Sequence, residues 1–370
     1  MQIKYLNRLS IHKLKGKTAL LRVDLNIKAG DIGDVYRLSA IIPTLALLKN
    51  AKVKTIILSH RGRPNGPDPS LSLKNFAPLL AKKIRAKVAF IPDYNLKTIK
   101  EKIAKTKESF ILLENLRFFE GEKKNDMVFA KELASLGNVY INDAFAVSHR
   151  ANASVEAITK FLPSYAGLLL EKEIKSLHKA MKQYKKPLVL IVGGAKIEDK
   201  AGILQYFLKK ADFILLGGGV ANTFARARGR EIKESLFDAK ANIEKIKNRK
   251  NIIIPEDNVW KNDMIADIGP KARTRYVKII KKAKTIVWGG PMGKFEETGC
   301  KEGTRAVWRA ILKNKRAFSV VGGGETTASF SLIKKLKVKA NPHLFLSTGG
   351  GAMLDFLSGQ KLPGIEALKK

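Results

Sequence analysis

The sequence predicts an α/β protein built on two parallel β-sheets. Ten short runs rich in Val, Ile and Leu recur along the 370 residues. They alternate with longer segments whose apolar residues fall at helical spacing, the order that builds parallel sheets. The runs are continuously apolar, as strands covered on both faces require. Ten strands are many for one sheet, and a chain of this length suits two domains.

TALLRVDLN, VKTIILSH, SFILLENL and NVYINDAF supply strands of the first part. PLVLIVGG, DFILLGGG, NIIIPED, TIVWGG, AFSVVGGG and HLFLSTGGG supply those of the second. RLSAIIPTLALLKN and GTRAVWRAILKN are helix candidates between them. The divide follows FLPSYAG (161–167). From there LLLEKEIKSLHKAMKQYKKP reads as one interdomain helix stopped by Pro187, with apolar positions at 168–170, 174, 177 and 181 on about one face. The expected boundaries are 1–167 for the first domain, 168–186 for the helix and 187–354 for the second domain.

Composition excludes several classes. No apolar run approaches the roughly 20 residues of a membrane span. The start, MQIKYLNRLSIHKLKGK, has no apolar stretch of a secretory signal. A single cysteine, Cys300, excludes an internal disulfide framework and a multi-cysteine zinc cluster, which fits a cytoplasmic protein. Lys and Arg number 70 against 33 Asp and Glu, a net charge of +37. The cations are spread over KKIRAK, KIKNRK, KIIKKAK, KNKR and KKLKVK rather than gathered in one stripe, and no zinc finger or RNA-binding motif accompanies them. The expectation is salt-sensitive adsorption and attraction of anionic metabolites, without a specific nucleic-acid partner.

In open parallel sheets, ligands bind beyond the carboxyl ends of the strands. In the first part those ends carry Asp24, Asn26, His60, Arg63, Arg117, Asn142 and Asp143. In the second they carry glycine: IVGGAK (191–196), LLGGGV (215–220), VWGGP (287–291), VVGGGETTAS (320–329) and LSTGGGA (346–352). Glycine admits a ligand close to the main chain, and a glycine turn opening a helix aims N–H groups at an anion. Lys196 and Lys200 stand four apart, so on a helix both would reach one polyphosphate. Neither a Walker A loop nor a dinucleotide G-x-G-x-x-G fingerprint is present. Arg37, Arg63, Arg117 and Arg150, with His60, form a candidate anion site, since guanidinium forks grip phosphate or carboxylate bidentately. Two anion sites of different chemistry imply two anionic ligands meeting across a cleft.

At this level the residues resemble the phosphoglycerate kinase family. The matching stretches run in order from LLRVDLN (20–26) through LSHRGRP (58–64), LLENLRF (112–118), INDAFAVSHRANAS (141–154), GGAKIEDK (193–200), LLGGGVANTF (215–224), VWGGPMGKFE (287–296) and VVGGGET (320–326) to LSTGGGAMLDFLSGQKLPGIEAL (346–368). The resemblance implies two Rossmann-like domains facing a cleft, with a terminal segment from about 355 packing back on the first. It implies a monomeric kinase that transfers the acyl phosphate of 1,3-bisphosphoglycerate to MgADP, giving 3-phosphoglycerate and MgATP, by in-line transfer on domain closure. By match, Asp24, Asn26, Arg37, His60, Arg63, Arg117 and Arg150 would hold the phosphoglycerate. Lys196 would contact the transferring group and Lys200 the nucleotide phosphates, beside Gly194 and Ala195. Gly217, Gly218 and Gly219 would border the adenine pocket, with Gly289 near the nucleotide and Glu296 at the ribose. Glu325 would meet Mg2+ and Thr326 the phosphates, with Gly322, Gly323 and Gly324 beside them. Arg37, Lys196, Gly323 and Gly350 would stand at the point of transfer.

The chain departs from the family pattern at several points. Glu325 stands where the family has Asp, Gly289 where it often has Asn, and Asn152 where histidine is common. The stretch between IIIPED and DIGP is short, which predicts a trimmed surface hairpin. Two other classes are weighed against the kinase reading. A dinucleotide-dependent oxidoreductase would use the repeated strand–glycine–helix units but lacks its fingerprint. A nucleic-acid-binding protein would explain the net charge but not the strand ends.

Overall fold

The computed structural model describes residues 2–6, 11–27, 32–333 and 341–369. The lysine-rich stretch KKLKVK (334–339) lies outside the described residues. The chain divides into two compact units, Met1–Ile174 with Lys361–Lys370, and Lys175–Gln360.

The first unit holds a six-stranded sheet of β1 (Thr18–Arg22), β2 (Lys54–Leu58), β3 (Val88–Ile91), β4 (Phe110–Leu113), β5 (Val139–Asn142) and β6 (Ser164–Ala166). Their spatial order is β3-β4-β2-β1-β5-β6, and every pairing is parallel. All carboxyl ends therefore share one edge. The centre of the sheet is apolar and closed: Leu20, Ile56, Ile57, Leu112 and Ile141 are fully buried. Sequence reading missed β3 and β6, which are the two edge strands. VAFI is mostly half-buried and SYA has three residues, so neither carries the continuous apolar run of a central strand. RLSAIIPTLALLKN forms two helices instead of one, Ile32–Ala40 and Ile42–Asn50, because Pro43 fits only the first turn of a helix.

The interdomain helix runs Leu168–Lys182, shorter than the predicted 168–186. The boundary between the units falls inside it, between Ile174 and Lys175. Its start is fixed by the first unit's sheet. Oδ1 of Asp143, just past β5, accepts from Leu169 N at 2.8 Å and Leu170 N at 3.0 Å, two N–H groups with no partner inside the helix. Gly167 passes so close that a Cβ there would strike the Asp143 carboxylate. Burial pushes the Asp143 carboxyl up to about 7, against hydrogen bonds from Thr44, Leu170 and Leu169. The native state holds a proton that the unfolded chain releases above about pH 4, so this group's contribution weakens as pH rises from about 4 through 7 and is level above that. Asp143→Asn keeps an acceptor at the cap and is expected to remove that decline. Denaturant unfolding of both proteins at several pH values between 4.5 and 8 measures it, and parallel pH dependences would refute the assignment.

The second unit repeats the plan with β7 (Leu188–Val192), β8 (Phe213–Leu216), β9 (Ile252–Ile253), β12 (Thr285–Gly289), β13 (Phe318–Gly322) and β14 (Leu344–Leu346). Their order is β14-β13-β12-β7-β8-β9, again all parallel. The chain moves outward from β7 to β9 and then resumes on the other side of β7 with β12, so the topological switch lies between β7 and β12. A separate antiparallel hairpin, β10 (Asn258–Lys261) with β11 (Met264–Ile268), occupies the position of the predicted short hairpin. Trp288 on β12 and Trp308 on the helix Glu302–Lys313 are fully buried and meet edge to face, centroids 4.7 Å apart. Both indoles are satisfied, Trp288 by Gly290 O at 2.7 Å and Trp308 by Ser329 Oγ at 2.8 Å.

The helix Gly351–Leu357 belongs to the second unit, and the return to the first begins at Lys361, later than the predicted 355. There Gly364 N donates to Ser148 O at 2.9 Å, and Asn142 Nδ2 donates to Gly364 O at 3.2 Å. Leu362, Ile365 and Leu368 are buried, so the anchor is apolar as well as hydrogen-bonded. No described helix is long and apolar enough to cross a membrane.

Candidate active site

The carboxyl edge of the first sheet gathers the predicted cations. Asp24 and Asn26 follow β1, His60 and Arg63 follow β2, and Arg117 follows β4. Short polar contacts hold the loops in register. Ser59 Oγ accepts from Leu25 N at 2.9 Å and donates to Val23 O at 2.9 Å. Asn26 Oδ1 accepts from Gly62 N at 2.9 Å, and Arg117 donates to Gly62 O. Asn115 ties β4 to the same loop by accepting from Arg61 N at 3.1 Å and donating to Arg61 O at 2.8 Å. Arg37, on the helix Ile32–Ala40, reaches this edge with Nη1 4.0 Å from Asp24 Oδ2. Arg150 lies on the loop after β5 and donates from Nε to His149 Nε2 at 3.2 Å.

The electrostatics shows how closely these groups converge. Burial pushes Arg117 down to about 10, with Arg150, Arg22 and Arg63 adding to the shift and Glu122 opposing it. Burial and then Arg63 also lower Arg150, with Asp24 opposing. His60 is held well below its ordinary value by burial first, then by Arg22, Arg117 and Arg150. The cluster thus stores cation–cation repulsion that a bound anion relieves.

Sequence reading missed Arg22, the last residue of β1, although it lies in LLRVDLN. It is 1% exposed. Nε donates to Ser154 Oγ at 2.9 Å, and Glu122, 3.9 Å from Nη2, accepts in turn from Ser154 N and Oγ. Arg22 Nη2 lies 3.0 Å from His60 Nδ1. Arginine only donates, so Nδ1 accepts and the ring proton is on Nε2. Nε2 is buried and has no partner among the described residues, so His60 presents a neutral donor beside three guanidinium groups. The signal in the sequence was a charge at the end of an otherwise apolar strand, where burial is certain and a partner is therefore required.

In the second unit, the glycine turns interlock at the switch between β7 and β12. Gly193 N donates to Gly289 O at 3.0 Å and Gly194 N to Pro291 O at 2.9 Å. Gly290 N donates to Thr326 Oγ1 at 2.7 Å, so the Thr326 hydroxyl, predicted to face phosphates, braces the β12 turn. Gly218 N donates to Met292 O at 2.9 Å, and a Cβ on Gly217 would strike Met292. Met292, missed in the sequence, thus packs beside the Gly217–Gly219 turn, and the exposed Glu296 lies four residues beyond it. Gly350 lies against the Gly322–Gly324 turn, where a Cβ would be 3.4 Å from Gly324 N. Gly322 ends β13, and Gly323 and Gly324 lead into the helix Gly324–Ala328.

Lys196 and Lys200 do not share a helical face. The glycines carry the chain through a loop at Lys196, which is exposed, and helical geometry starts only with the 3-10 turn Glu198–Lys200. Lys200 is half-buried. Its ammonium is lowered by burial and raised by Asp199 and Glu325, which places it beside Glu325. Glu325 is itself exposed at the turn after β13, next to Gly194, where a Cβ would lie 3.7 Å from Oε2. The structure therefore brings Gly194, Ala195, Lys200, Gly290, the Gly322–Gly324 turn and Glu325 together on one edge.

Comparison with known proteins gives a consistent result. A family model described as phosphoglycerate kinase matches residues 9–360. A phosphoglycerate kinase of Wolbachia sp. subsp. Drosophila simulans (strain wRi) is 42% identical, covering 96% of this chain and 97% of that one. One from Dictyoglomus turgidum is 38% identical, covering 96% of each. Among solved structures, phosphoglycerate kinase from Coxiella burnetii aligns with a TM-score of 0.81 at 34% identity, and that from Pyrococcus horikoshii OT3 with 0.85 at 32%, each covering 98% of both chains.

Proposed function

The chain belongs to the phosphoglycerate kinase family, and from that premise we propose how its residues divide the reaction. The reaction is the glycolytic phosphotransfer between 1,3-bisphosphoglycerate and ADP, giving 3-phosphoglycerate and ATP. The first unit binds the phosphoglycerate through Arg37, Arg63, Arg117, Arg150 and the Nε2 donor of His60, with Asp24 and Asn26 shaping the edge. The second binds the nucleotide through the glycine turns, Lys200 and Lys196. Gly217–Gly219 border the base and Glu296 the ribose. The observation that carries this reading is the convergence of three guanidinium groups, Arg22, Arg117 and Arg150, around one buried imidazole whose Nε2 has no partner among the described residues.

Phosphoryl transfer asks little covalent chemistry of a protein. It asks for in-line placement and positive charge on the equatorial oxygens. Arg37 and Lys196 supply that charge when the two bound ligands are brought into line, and the attacking oxygen is already anionic, so no general base is required. Water must be excluded from the acyl phosphate, the role of closure around both ligands.

Mg2+ fits the residues present in a limited way. Among the described residues no group of three or more His, Cys, Asp or Glu could cage a metal. Glu325 offers one carboxylate at the phosphate turn, which suits an ion held mainly by nucleotide phosphates and water. When bound, the ion neutralises phosphate charge. We place the enzyme in the cytoplasm as a monomer, and sedimentation velocity tests the oligomeric state. A coupled assay with purified protein tests the function. ATP should form from ADP only when 1,3-bisphosphoglycerate is supplied, and no ATP with both substrates and Mg2+ present would overturn the reading.

A further inference from the structure

Within the second unit, the helices Pro270–Lys282 and Glu302–Lys313 enclose a groove of about 720 Å³. None of its lining residues belongs to the glycine turns. The helices precede the neighbouring parallel strands β12 and β13, so they run side by side in one direction. Asn314 locks their ends together, donating from Nδ2 to Ile280 O at 2.7 Å and to Ala283 O at 2.9 Å.

The floor of the groove is apolar and low. Val277 and Ala306 are half-buried and Ala310 is fully buried, and the alanines stand at i and i+4 so that one ridge is cut down to methyl groups. The walls are cationic: Arg273, Lys278, Lys281 and Lys282 from one helix, Arg309 and Lys313 from the other. None of the six has a carboxylate within ion-pair distance among the described residues. The single acid in the lining, Glu302, is already paired with Arg305. Cations at helix C-termini complement the helix dipole, which accounts for Lys281, Lys282 and Lys313. It does not account for the trimmed floor, or for one already paired acid facing six cations.

We propose that this groove is a docking site for an acidic amphipathic helix of a partner protein. Two helices of 13 and 12 residues frame about 18–20 Å, room for some three turns of a third helix laid along them. Such a helix places apolar side chains on Val277 and Ala306 and its flanking carboxylates against both walls, the groove-binding mode with charge selecting the partner. A second copy of this chain is a poor occupant, since each carries a net charge of +37. Nucleic acid is disfavoured because the lining has no aromatic ring to stack a base.

The test uses the whole protein and a fluorescent peptide of about 14 residues, leucine on one helical face and glutamate elsewhere, at about 150 mM salt. A scrambled peptide and oligouridylate of equal length are the other arms. The patterned peptide should bind at least about tenfold more tightly than either. Ala306→Gln, which fills the floor, and Lys278→Glu with Lys282→Glu, which reverses a wall, should each cost about tenfold or more, with kinase turnover unchanged. Lys82→Glu with Lys83→Glu, an equal charge change on an exposed helix of the first unit, should leave binding unaltered. Equal binding of the scrambled peptide, tighter binding of the oligonucleotide, equal loss in the Lys82/Lys83 variant, or no effect of Ala306→Gln would each overturn the proposal.

Discussion

Lys196→Ala and Arg37→Ala should each lower turnover by about two to four orders of magnitude, some 3–5 kcal/mol of transition-state stabilisation, with little change in folding stability. The two halves of that expectation rest on different observations. The loss in rate follows from charge: the transferring group spreads negative charge over its equatorial oxygens, and a fixed cation is worth most where water has been excluded. The intact fold follows from how few contacts these side chains make. Lys196 projects from a loop into solvent, and Arg37 makes one long contact with Asp24 and a marginal one, 3.5 Å, with Asn26 O. Neither side chain belongs to an apolar core, and truncating Arg37 removes only its long contact with the buried Asp24 and the marginal one with Asn26 O. Steady-state kinetics in the ATP-forming direction, paired with thermal unfolding, separates the two effects. Near-normal turnover in both variants would remove the proposed division of labour, and a large fall in melting temperature would mean that these side chains were structural.

Much of this arrangement was legible before any coordinates. Central strands such as LVLIV and TIVWG announce themselves because both faces are buried, and parallel order places their carboxyl ends on one edge without further information. The candidate site residues at those ends were therefore readable as a set. What escaped had local causes. β3 and β6 lie at sheet edges, where half-burial dilutes the apolar signal. Pro43 divides a helical pattern that periodicity alone joins. Lys196 and Lys200 look like helical neighbours in spacing, but Gly193 and Gly194 delay the helix past Lys196. Arg22 and Met292 escaped for a different reason. Their roles depend on partners far away in sequence, Ser154 and His60 for the one, Gly217 and Gly218 for the other, and no single-chain pattern encodes such a pairing.

Gly290→Ala should damage the second unit more than any other one-methyl change at this edge, lowering stability by about 3 kcal/mol or more and weakening ADP binding beyond about tenfold. Two penalties coincide there. Gly290 has φ of +91°, a region that side chains other than glycine rarely enter. A Cβ would also point into the backbone of Gly193, a wall that cannot rotate away as a side chain can. Nor can the turn simply shift, because Gly290 O accepts from the buried Trp288 indole and Gly290 N donates to the buried Thr326. Any displacement breaks hydrogen bonds in a closed core or opens the contact between the β7 and β12 turns. The neighbouring Gly289→Ala is the control. Its Cβ would find only ordinary contact, the nearest atom being Leu354 Cδ2 at 3.4 Å, and its backbone is not left-handed. That variant should stay within about 1 kcal/mol of the parent. Thermal unfolding and ADP titration of the pair decide the matter. If the two alanines behaved alike, the interlocked glycine turns would not be what holds the nucleotide edge in place.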